Sequence, residues 1–253
     1  MSQLLAGKTA LVMGIANKWS IAYAIAQAFS REGAQLILTY LDDHQKDAIE
    51  TLSKDLNVTK VLPCNVTSDE QIAALVASLE GIQLDIVVHA LAFANREDLS
   101  KPFVETSRAG FALAHDVSAY SLVAIARATA PLMAHGGSLM TLTYLGSTRV
   151  VQNYNVMGVA KAALEATVRY LANDLGPKNI RVNAISAGVV KTTSARGIKD
   201  LSTMLNAVPD KAPLRRNTDP AEVADTAVFL ASDLGRGVTG NTIFVDAGMQ
   251  ILA

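Results

Sequence analysis

Short apolar runs alternate with longer segments of helical periodicity from one end of the chain to the other. The short runs are nearly continuous in apolar residues, which is typical of strands covered on both faces. They predict strands at residues 9–13, 35–40, 60–62, 86–89, 138–144, 180–186 and 242–245. The segments between them predict helices at residues 21–32, 45–55, 69–78, 120–134, 156–175 and 220–232.

The alternation of strand and helix predicts the fold class. Gly33 and Gly176-Pro177 end helices, and Asp219-Pro220 begins one. Strands that alternate with helices form right-handed βαβ units with a parallel sheet. We therefore expect an α/β protein, a doubly wound Rossmann-type parallel sheet with helices on both faces. Residues 1–253 are expected to form one domain, in which 192–217 has no strand pattern and is the expected substrate-binding lid.

Composition excludes several classes of function. The 253 residues carry 22 basic and 23 acidic side chains, a net charge of −1, so nothing marks a nucleic-acid surface. No apolar run reaches the ~20 residues of a membrane helix, and the start resembles no secretion signal, so we expect no membrane and a cytoplasmic location. The single cysteine excludes an internal disulfide framework, and the four histidines never have metal-ligand spacing, which predicts no metal site. Half the residues are hydrophobic, an excess that calls for an explanation.

In an open parallel sheet, ligands bind beyond the carboxyl ends of the strands. After the first predicted strand comes Gly14, followed by a loop to Ser20 and Ile21. A dinucleotide requires small residues there, so that backbone N–H groups and a helix N-terminus can approach its pyrophosphate. A lone glycine also suits a plain strand–turn–helix connection. Ser20 could cap the helix and donate its hydroxyl to a phosphate.

Three further strand ends are candidates. Leu41, Asp42 and Asp43 follow the second strand, and a 2′-phosphate would require Arg or Lys there, so a bound dinucleotide would be NADH rather than NADPH. The aspartates alone also suit a solvated turn. Asn65 closes the next strand, where its amide could pair with an adenine edge. His89 is more typical of a core histidine than of a ligand.

Tyr154 and Lys161 open the longest predicted helix. Seven residues at ~100° each come close to two full turns, so both lie on one face, ~10.5 Å apart along the axis. A nearby ammonium would lower the phenol pKa and make Tyr154 a plausible general acid. Alternatively, Lys161, Glu165 and Arg169 form a solvated i,i+4 ladder and Tyr154 is a core tyrosine. Tyr144, at the end of the preceding strand, adds a second phenol at this edge.

Motifs along the whole chain resemble the NAD(P)H-dependent enoyl-acyl-carrier-protein reductases, a divergent family of the short-chain dehydrogenase/reductase superfamily. The resemblance rests on Gly14-x5-Ser20-Ile21-Ala22, Tyr144-Leu145-Gly146, Tyr154-Asn155-Val156-Met157-Gly158-x-Ala160-Lys161 and residues 181–188. Tyr-x6-Lys distinguishes this family from ordinary short-chain reductases with Tyr-x3-Lys, whose lysine would fall at Gly158.

The resemblance implies hydride transfer from NADH to the β-carbon of a trans-2-enoyl thioester during fatty acid elongation. Tyr154 would hydrogen-bond the enolate oxygen, Lys161 would hold the nicotinamide ribose, and Tyr144 would orient the acyl chain. The implied partners are acyl carrier protein and further copies of the chain in a homotetramer. The implied cofactor contacts are Gly14, Ile15, Ser20, Ile21, Leu41, Asn65, Val66, Leu91, Lys161, Val190, Thr192 and Ser194. The implied substrate contacts are Ala94, Tyr144, Met157, Ile198 and Met204, with Leu205 on the same mobile helix as the last two.

Two alternatives remain at this point. A ketoacyl or carbonyl reductase of the same fold would require a Tyr-x3-Lys pair, and the chain has Gly158 instead of that lysine. A dinucleotide-binding regulator without catalysis would be expected to lose Tyr154 or Lys161, and the chain has both. Several positions depart from the commonest family pattern, among them Leu41, Asn65, Ala90, Val189 and Ala247, and none belongs to the catalytic pair.

Overall fold

The computed structural model describes residues 3–192 and 201–252. In this part of the chain seven parallel strands form one sheet. The strands are β1 Thr9–Met13, β2 Gln35–Tyr40, β3 Val58–Pro63, β4 Ile86–His89, β5 Gly137–Thr143, β6 Ile180–Ala187 and β7 Thr242–Val245. Their order across the sheet is β3-β2-β1-β4-β5-β6-β7. The direction of winding therefore reverses between β1 and β4, which is where a doubly wound sheet opens a crevice for ligands.

Helices cover both faces of the sheet. They are α1 Ile21–Arg31, α2 Asp43–Ser53, α3 Asp69–Ala77, α4 Arg96–Ser100, α5 Arg108–His115, α6 Ser121–Thr129, α7 Asn155–Leu175, α8 Leu201–Lys211 and α9 Pro220–Ala231. One apolar core lies between the sheet and α1, α2 and α9, and includes Phe29, Ile49 and Val223. The other lies under α3, α6 and α7, and includes Leu75 and Leu164. Burial on both faces explains why the strands are nearly continuous apolar runs.

The predicted fold class is confirmed, and four strands have the predicted bounds to the residue. The predicted helix at 120–134 is the second half of a longer helical run. That run begins with α5 and passes through a wider π turn at Asp116–Tyr120 into α6. Residues 192–217, predicted as a lid without strands, contain α8, although Pro209 lies inside that helix. The single-domain reading of the whole chain stays a prediction.

One helical stretch, Arg108–Leu132, is long and apolar enough to cross a membrane by length and composition. Half of the most apolar part of this stretch is buried inside the protein. The buried residues Leu122 and Ile125 belong to the core under α6. Core helices meet the same criterion, so the stretch is weak evidence for a membrane span.

Candidate active site

A cleft of about 870 Å³ opens at the carboxyl ends of the strands, above the paired strands β1 and β4, where the direction of winding reverses. Every predicted site residue that the structure describes lines it. From the cofactor set these are Gly14, Ile15, Ser20, Ile21, Leu41, Asn65, Val66, Leu91, Lys161, Val190 and Thr192, and from the substrate set Ala94, Tyr144, Tyr154, Met157 and Met204. Ser194 and Ile198 lie outside the described residues. The chain therefore brings its candidate residues together in one place.

Gly14 is required by the backbone at the floor of the cleft. Its φ is +95°, a conformation that favours glycine, and a Cβ added there would lie 2.1 Å from the carbonyl oxygen of Ala90. The chain after β1 and the chain after β4 thus touch directly under the cleft. Gly14 is therefore required by a close backbone contact, although it is the only glycine in this loop.

The expected helix cap at Ser20 is wrong in its side-chain contact. Ser20 occupies the N-cap position of α1, but its side chain accepts no hydrogen bond from the first turn. Its hydroxyl instead donates to the carbonyl oxygen of Asn17, at 2.7 Å. That bond closes the loop after Gly14 and leaves the Ser20 oxygen lone pairs at the cleft wall.

The aspartates after β2 form a solvated turn, which is the alternative that the sequence left open for them. Asp42 caps α2 by accepting a hydrogen bond from the backbone N–H of Gln45, and both Asp42 and Asp43 are exposed. The cleft wall here is formed by Tyr40, Leu41 and Gln45. Leu41 N–H donates to Gln45 Oε1 at 3.3 Å, which leaves the Gln45 amide N–H groups available at the cleft. Sequence reasoning missed Gln45, although its place in the first turn after a capping aspartate was a usable signal.

Asn65 combines a local structural contact with its place at the cleft. Its Oδ1 accepts hydrogen bonds from the backbone N–H and the hydroxyl of Thr67, at 3.0 and 2.8 Å. The same amide keeps its NH₂ group as a donor. The contact with Thr67 orients that donor, which suits the pairing with an adenine edge expected from the sequence.

Tyr154 is held at the N-cap of α7 by a strained backbone. Asn153 and Asn155, on either side of it, have φ of 63° and 41°, in the left-handed region that asparagine tolerates better than most residues. The Asn155 side-chain amide donates to the carbonyl oxygens of Leu99 and Lys101, at 3.1 and 2.7 Å. The segment after β4 is thereby tied to the start of α7, and Tyr154 is fixed in the wall of the cleft.

The two phenols form one aromatic unit. The rings of Tyr144 and Tyr154 meet edge to face, with centroids 5.0 Å apart. Burial is the main cause that raises the pKa of Tyr154, and the charges of Tyr144 and Glu165 act in the same direction. The expected lowering of this pKa is therefore wrong for the protein alone. Tyr154 is a neutral phenol that can donate a hydrogen bond but does not release its proton readily.

Lys161 and Glu165 do not form a solvated ladder. Lys161 is 5% exposed and Glu165 8% exposed, whereas Arg169, one turn further, is exposed. Lys161 Nζ donates to the carbonyl oxygen of Leu142 at 2.7 Å. Burial lowers the pKa of Lys161 to about 8, and the negative charge of Glu165 opposes that effect. Lys161 is therefore a buried ammonium at the base of the cleft at neutral pH.

Gly158 packs too closely against the neighbouring turn to carry a side chain. A Cβ added to Gly158 would lie 2.7 Å from the carbonyl oxygen of Gly146, and one added to Gly146 would lie 2.4 Å from the ring of Tyr154. Two glycines thus allow the turn after β5, the Tyr154 ring and the first turns of α7 to pack in contact. A lysine at position 158 does not fit this arrangement.

His89 lies in the core, as its sequence context favours. It is fully buried, and its ring nitrogens contact Thr141 Oγ1 and Ser121 Oγ at 3.1 and 2.7 Å. Burial lowers its pKa to about 3, so the ring is neutral. Among residues 3–192 and 201–252, no group of three or more His, Cys, Asp or Glu side chains could hold a metal ion.

The substrate end of the cleft includes residues that the sequence did not indicate. Met157 and Met204 lie there as expected, together with Phe93, Leu99 and Val117. The Ser118 hydroxyl contacts Met157 Sδ at 3.7 Å and accepts a hydrogen bond from the Phe93 N–H at 3.0 Å. These positions belong to the segments around α4 and α5, whose helices the periodicity did not predict, so no signal pointed to them.

The fold and the cleft together define a dinucleotide-binding reductase with a buried tyrosine–lysine pair. Residues 14–250 match the family model described as enoyl-(acyl carrier protein) reductase. A relative from Bacillus cereus, enoyl-[acyl-carrier-protein] reductase [NADH] FabI, is 53% identical over 99% of both chains. The reductase of Staphylococcus aureus, named as NADPH-dependent, is 48% identical over 98% of both chains.

Solved structures give the same result. The Bacillus cereus reductase crystallised with NADP+ and indole naphthyridinone superimposes with a TM-score of 0.97, 52% identity and 99% coverage of both chains. The Anaplasma phagocytophilum reductase in complex with NAD has a TM-score of 0.96 and 44% identity, over 100% of this chain and 97% of that one. The chain belongs to the enoyl-acyl-carrier-protein reductase family of the short-chain dehydrogenase/reductase superfamily.

Proposed function

We propose that this chain reduces the trans-2 double bond of an enoyl thioester carried by acyl carrier protein, with NADH as the reductant. Its relatives, about half identical over nearly the whole chain, are enoyl-acyl-carrier-protein reductases, which supports the reaction. The observation that carries the proposal is the buried Tyr154–Lys161 pair in the cleft, with Gly158 packed so that no Tyr-x3-Lys lysine can replace it. That packing disfavours the ketoacyl-reductase alternative, and the presence of both residues disfavours an inactive regulator.

The cleft fits a dinucleotide. At its floor Gly14 has no room for a side chain, and the Gly14–Ser20 loop ends at the N-terminus of α1, where the helix dipole favours a pyrophosphate. The backbone N–H of Ile21 would hold the pyrophosphate, joined by the Ser20 hydroxyl once it turns from the Asn17 carbonyl to a phosphate oxygen. Asn65 and Val66 would hold the adenine, and Lys161, Val190 and Thr192 the nicotinamide end. When bound, the cofactor supplies a hydride to the substrate β-carbon and leaves oxidised.

Tyr154 would act on the thioester carbonyl oxygen. Addition of hydride at the β-carbon moves the electrons of the double bond towards that oxygen, and the neutral phenol donates a hydrogen bond to the enolate that forms. A proton added at the α-carbon completes the saturated acyl chain. The cleft is lined mainly by apolar side chains and Tyr154 is buried in its wall, so a preorganised donor stabilises this developing charge more strongly than it would in water. Tyr144, edge to face with Tyr154, would orient the acyl chain.

The proposed preference for NADH rests on uncharged groups at the adenosine ribose. Leu41 and Gln45 line the cleft after β2, and neither carries a positive charge to form a charge-assisted pair with a 2′-phosphate dianion. The Gln45 amide can donate to a ribose hydroxyl instead. The two relatives are named for different cofactors although they are about equally similar to this chain, which supports a preference that depends on a few residues rather than on the fold.

The test is turnover of a short trans-2-enoyl thioester by the purified protein, followed as loss of NADH absorbance. We expect oxidation of NADH, slower oxidation of NADPH, and none with a 3-ketoacyl thioester. Turnover of the ketoacyl substrate without turnover of the enoyl substrate would contradict the proposal. The same assay tests the proposed partner when the enoyl group is carried by acyl carrier protein in one measurement and by coenzyme A in another.

A further inference from the structure

Glu165 is a buried carboxylate that the reaction as described does not use. It lies on α7, four residues after Lys161, and is 8% exposed. A buried carboxylate loses the stabilisation that water gives its charge, so it is found where other groups replace that stabilisation. Its Oε1 accepts a hydrogen bond from Thr143 Oγ1, at 2.7 Å.

Lys161 and Glu165 are both tied to the end of β5. Lys161 Nζ donates to the carbonyl oxygen of Leu142, and Thr143, the next residue, donates to Glu165. Side chains four residues apart on a helix are neighbours on one face. Lys161 and Glu165 thus lie on one face of α7 and bond to adjacent residues of the strand that leads directly into Tyr144, without a direct hydrogen bond or ion pair between them.

We propose that Glu165 is a positioning residue that keeps Lys161 in its charged form inside the cleft, so that Lys161 presents N–H donors to the cofactor ribose and a positive charge to Tyr154. This inference rests on the proposed function, because it assigns Lys161 to the bound dinucleotide.

The surrounding groups support this role. His89, on β4, is neutral because burial lowers its pKa to about 3. Tyr144 and Tyr154 have raised pKa values and are neutral as well. The charge of Asp246 contributes to the raised pKa of Tyr144. Thr143 and its register partner Ser186 on β6 contribute only hydroxyls. In the described part of the chain, Glu165 is the charged group that raises the pKa of Lys161 against the effect of burial.

Removal of the charge has a predictable sign. Lys161 has a pKa of about 8 with Glu165 in place. Glu165→Gln removes the opposing charge, so the pKa of Lys161 falls and the ammonium is lost at a lower pH. Well below this pKa, Lys161 is protonated in both proteins and they should behave alike. A merely structural role would weaken the site equally at every pH.

The experiment is a titration of NADH binding to the whole protein between about pH 6 and about pH 10. Binding is followed by the fluorescence of the single tryptophan, Trp19, which lies in the loop after Gly14. The alkaline loss of affinity in Glu165→Gln should move to lower pH by about one unit. NMR of ¹³C-labelled lysine in the cofactor-free protein should show the same shift for the Lys161 signal.

Two further variants complete the test. Glu165→Asp keeps the charge, so its NADH affinity at alkaline pH should stay close to that of the wild-type protein. Asp174→Asn removes an exposed acid on the same helix and should leave the dependence of NADH affinity on pH unchanged. If Glu165→Gln does not fold, Thr143→Val, which removes only the hydrogen bond to the carboxylate, should give a smaller shift in the same direction.

An unmoved profile in the folded variant, or equal weakening at all pH values, would overturn the inference. Failure of the proposed function gives a different result. In that case the wild-type protein does not turn over the enoyl thioester, while the Lys161 signal still moves in Glu165→Gln.

Discussion

Burial acts on Tyr154 and Lys161 so that each favours its uncharged form. It raises the pKa of the phenol and lowers that of the ammonium to about 8. Tyr154 therefore remains a hydrogen-bond donor throughout the neutral range, while Lys161 is the group whose charge is lost first as the pH rises. We expect the alkaline limit of activity to be set by the lysine rather than by the tyrosine.

The two residues should separate in mutant kinetics. Tyr154→Phe removes the donor to the enolate but leaves the ring in place, so turnover should fall by about 10²–10³-fold while NADH still binds. Lys161→Ala should weaken NADH binding. The measurements are steady-state turnover with an enoyl thioester and NADH affinity from Trp19 fluorescence. Full activity in both variants would show that the roles are wrongly assigned.

Gln45 offers a test of cofactor choice. Gln45→Arg places a guanidinium at the cleft wall after β2, where it can pair with a 2′-phosphate. The ratio of kcat/KM for NADPH to that for NADH should rise by roughly tenfold or more, as a charge-assisted hydrogen bond of ~1.5–3 kcal/mol implies.

Asp47→Asn is the matched control for Gln45→Arg, because it makes the same change in net charge on the same helix at an exposed position. Its ratio should stay near the wild-type value. An unchanged ratio in Gln45→Arg would place the ribose elsewhere.

At the scale of elements, α7 and the turn after β5 depend on the Gly146–Gly158 contact. Gly158→Ala puts a methyl group 2.7 Å from the Gly146 carbonyl oxygen, so α7 must shift or the turn must open. We expect a loss of about 1–3 kcal/mol in the free energy of unfolding, a Tm lower by several degrees, and reduced turnover.

Gly237→Ala is the control, at a glycine outside this helix. Apart from its two chain neighbours, nothing lies within 4 Å of a Cβ added there, and no left-handed φ disfavours alanine at this position. Alanine should be close to neutral there. The test is thermal unfolding of both variants, and an equal Tm in the two would contradict the packing argument.

Elements and residues marked by a clear apolar run or a fixed spacing along the chain were predictable from the sequence. The bounds of β1, β2, β4 and β7 follow from apolar runs, and Tyr154 and Lys161 follow from their spacing. The helices α4 and α5 were not predictable, because their stability comes from contacts such as the Asn155 amide on Leu99 and Lys101. The Tyr154 pKa was predicted in the wrong direction, because spacing along a helix contains no information on how deeply the ring is buried.

For the whole molecule, exposed apolar side chains remain after both cores are filled. Tyr170 is 76% exposed on the outer face of α7, while Phe229 on α9 and Phe244 on β7 are also exposed. Apolar surface of this kind on separate elements is typical of faces that associate with other copies. Subunit contacts would account for part of the apolar excess in the composition, and the cleft for another part.

The expected assembly is a homotetramer with a mass four times the 26.7 kDa of the chain, measured by size-exclusion chromatography with light scattering. A charge introduced into one subunit contact should break that contact and leave dimers. Tyr170→Asp and Phe229→Asp, tested separately, should therefore each shift the mass from tetramer to dimer. Arg127→Ala, at an exposed polar position of α6, is the control and should leave the mass unchanged. A wild-type protein that elutes as a monomer would contradict the expectation.

The Gly146–Gly158 contact also has an evolutionary consequence. A chain that gained a lysine at position 158 before the neighbouring turn had changed would place the new side chain against the Gly146 carbonyl. Each intermediate would fold less well than either end point, so the two spacings of tyrosine and lysine are separated by a valley in fitness. Crossing that valley requires linked changes in the turn and in the helix, which favours retention of the spacing once it has arisen.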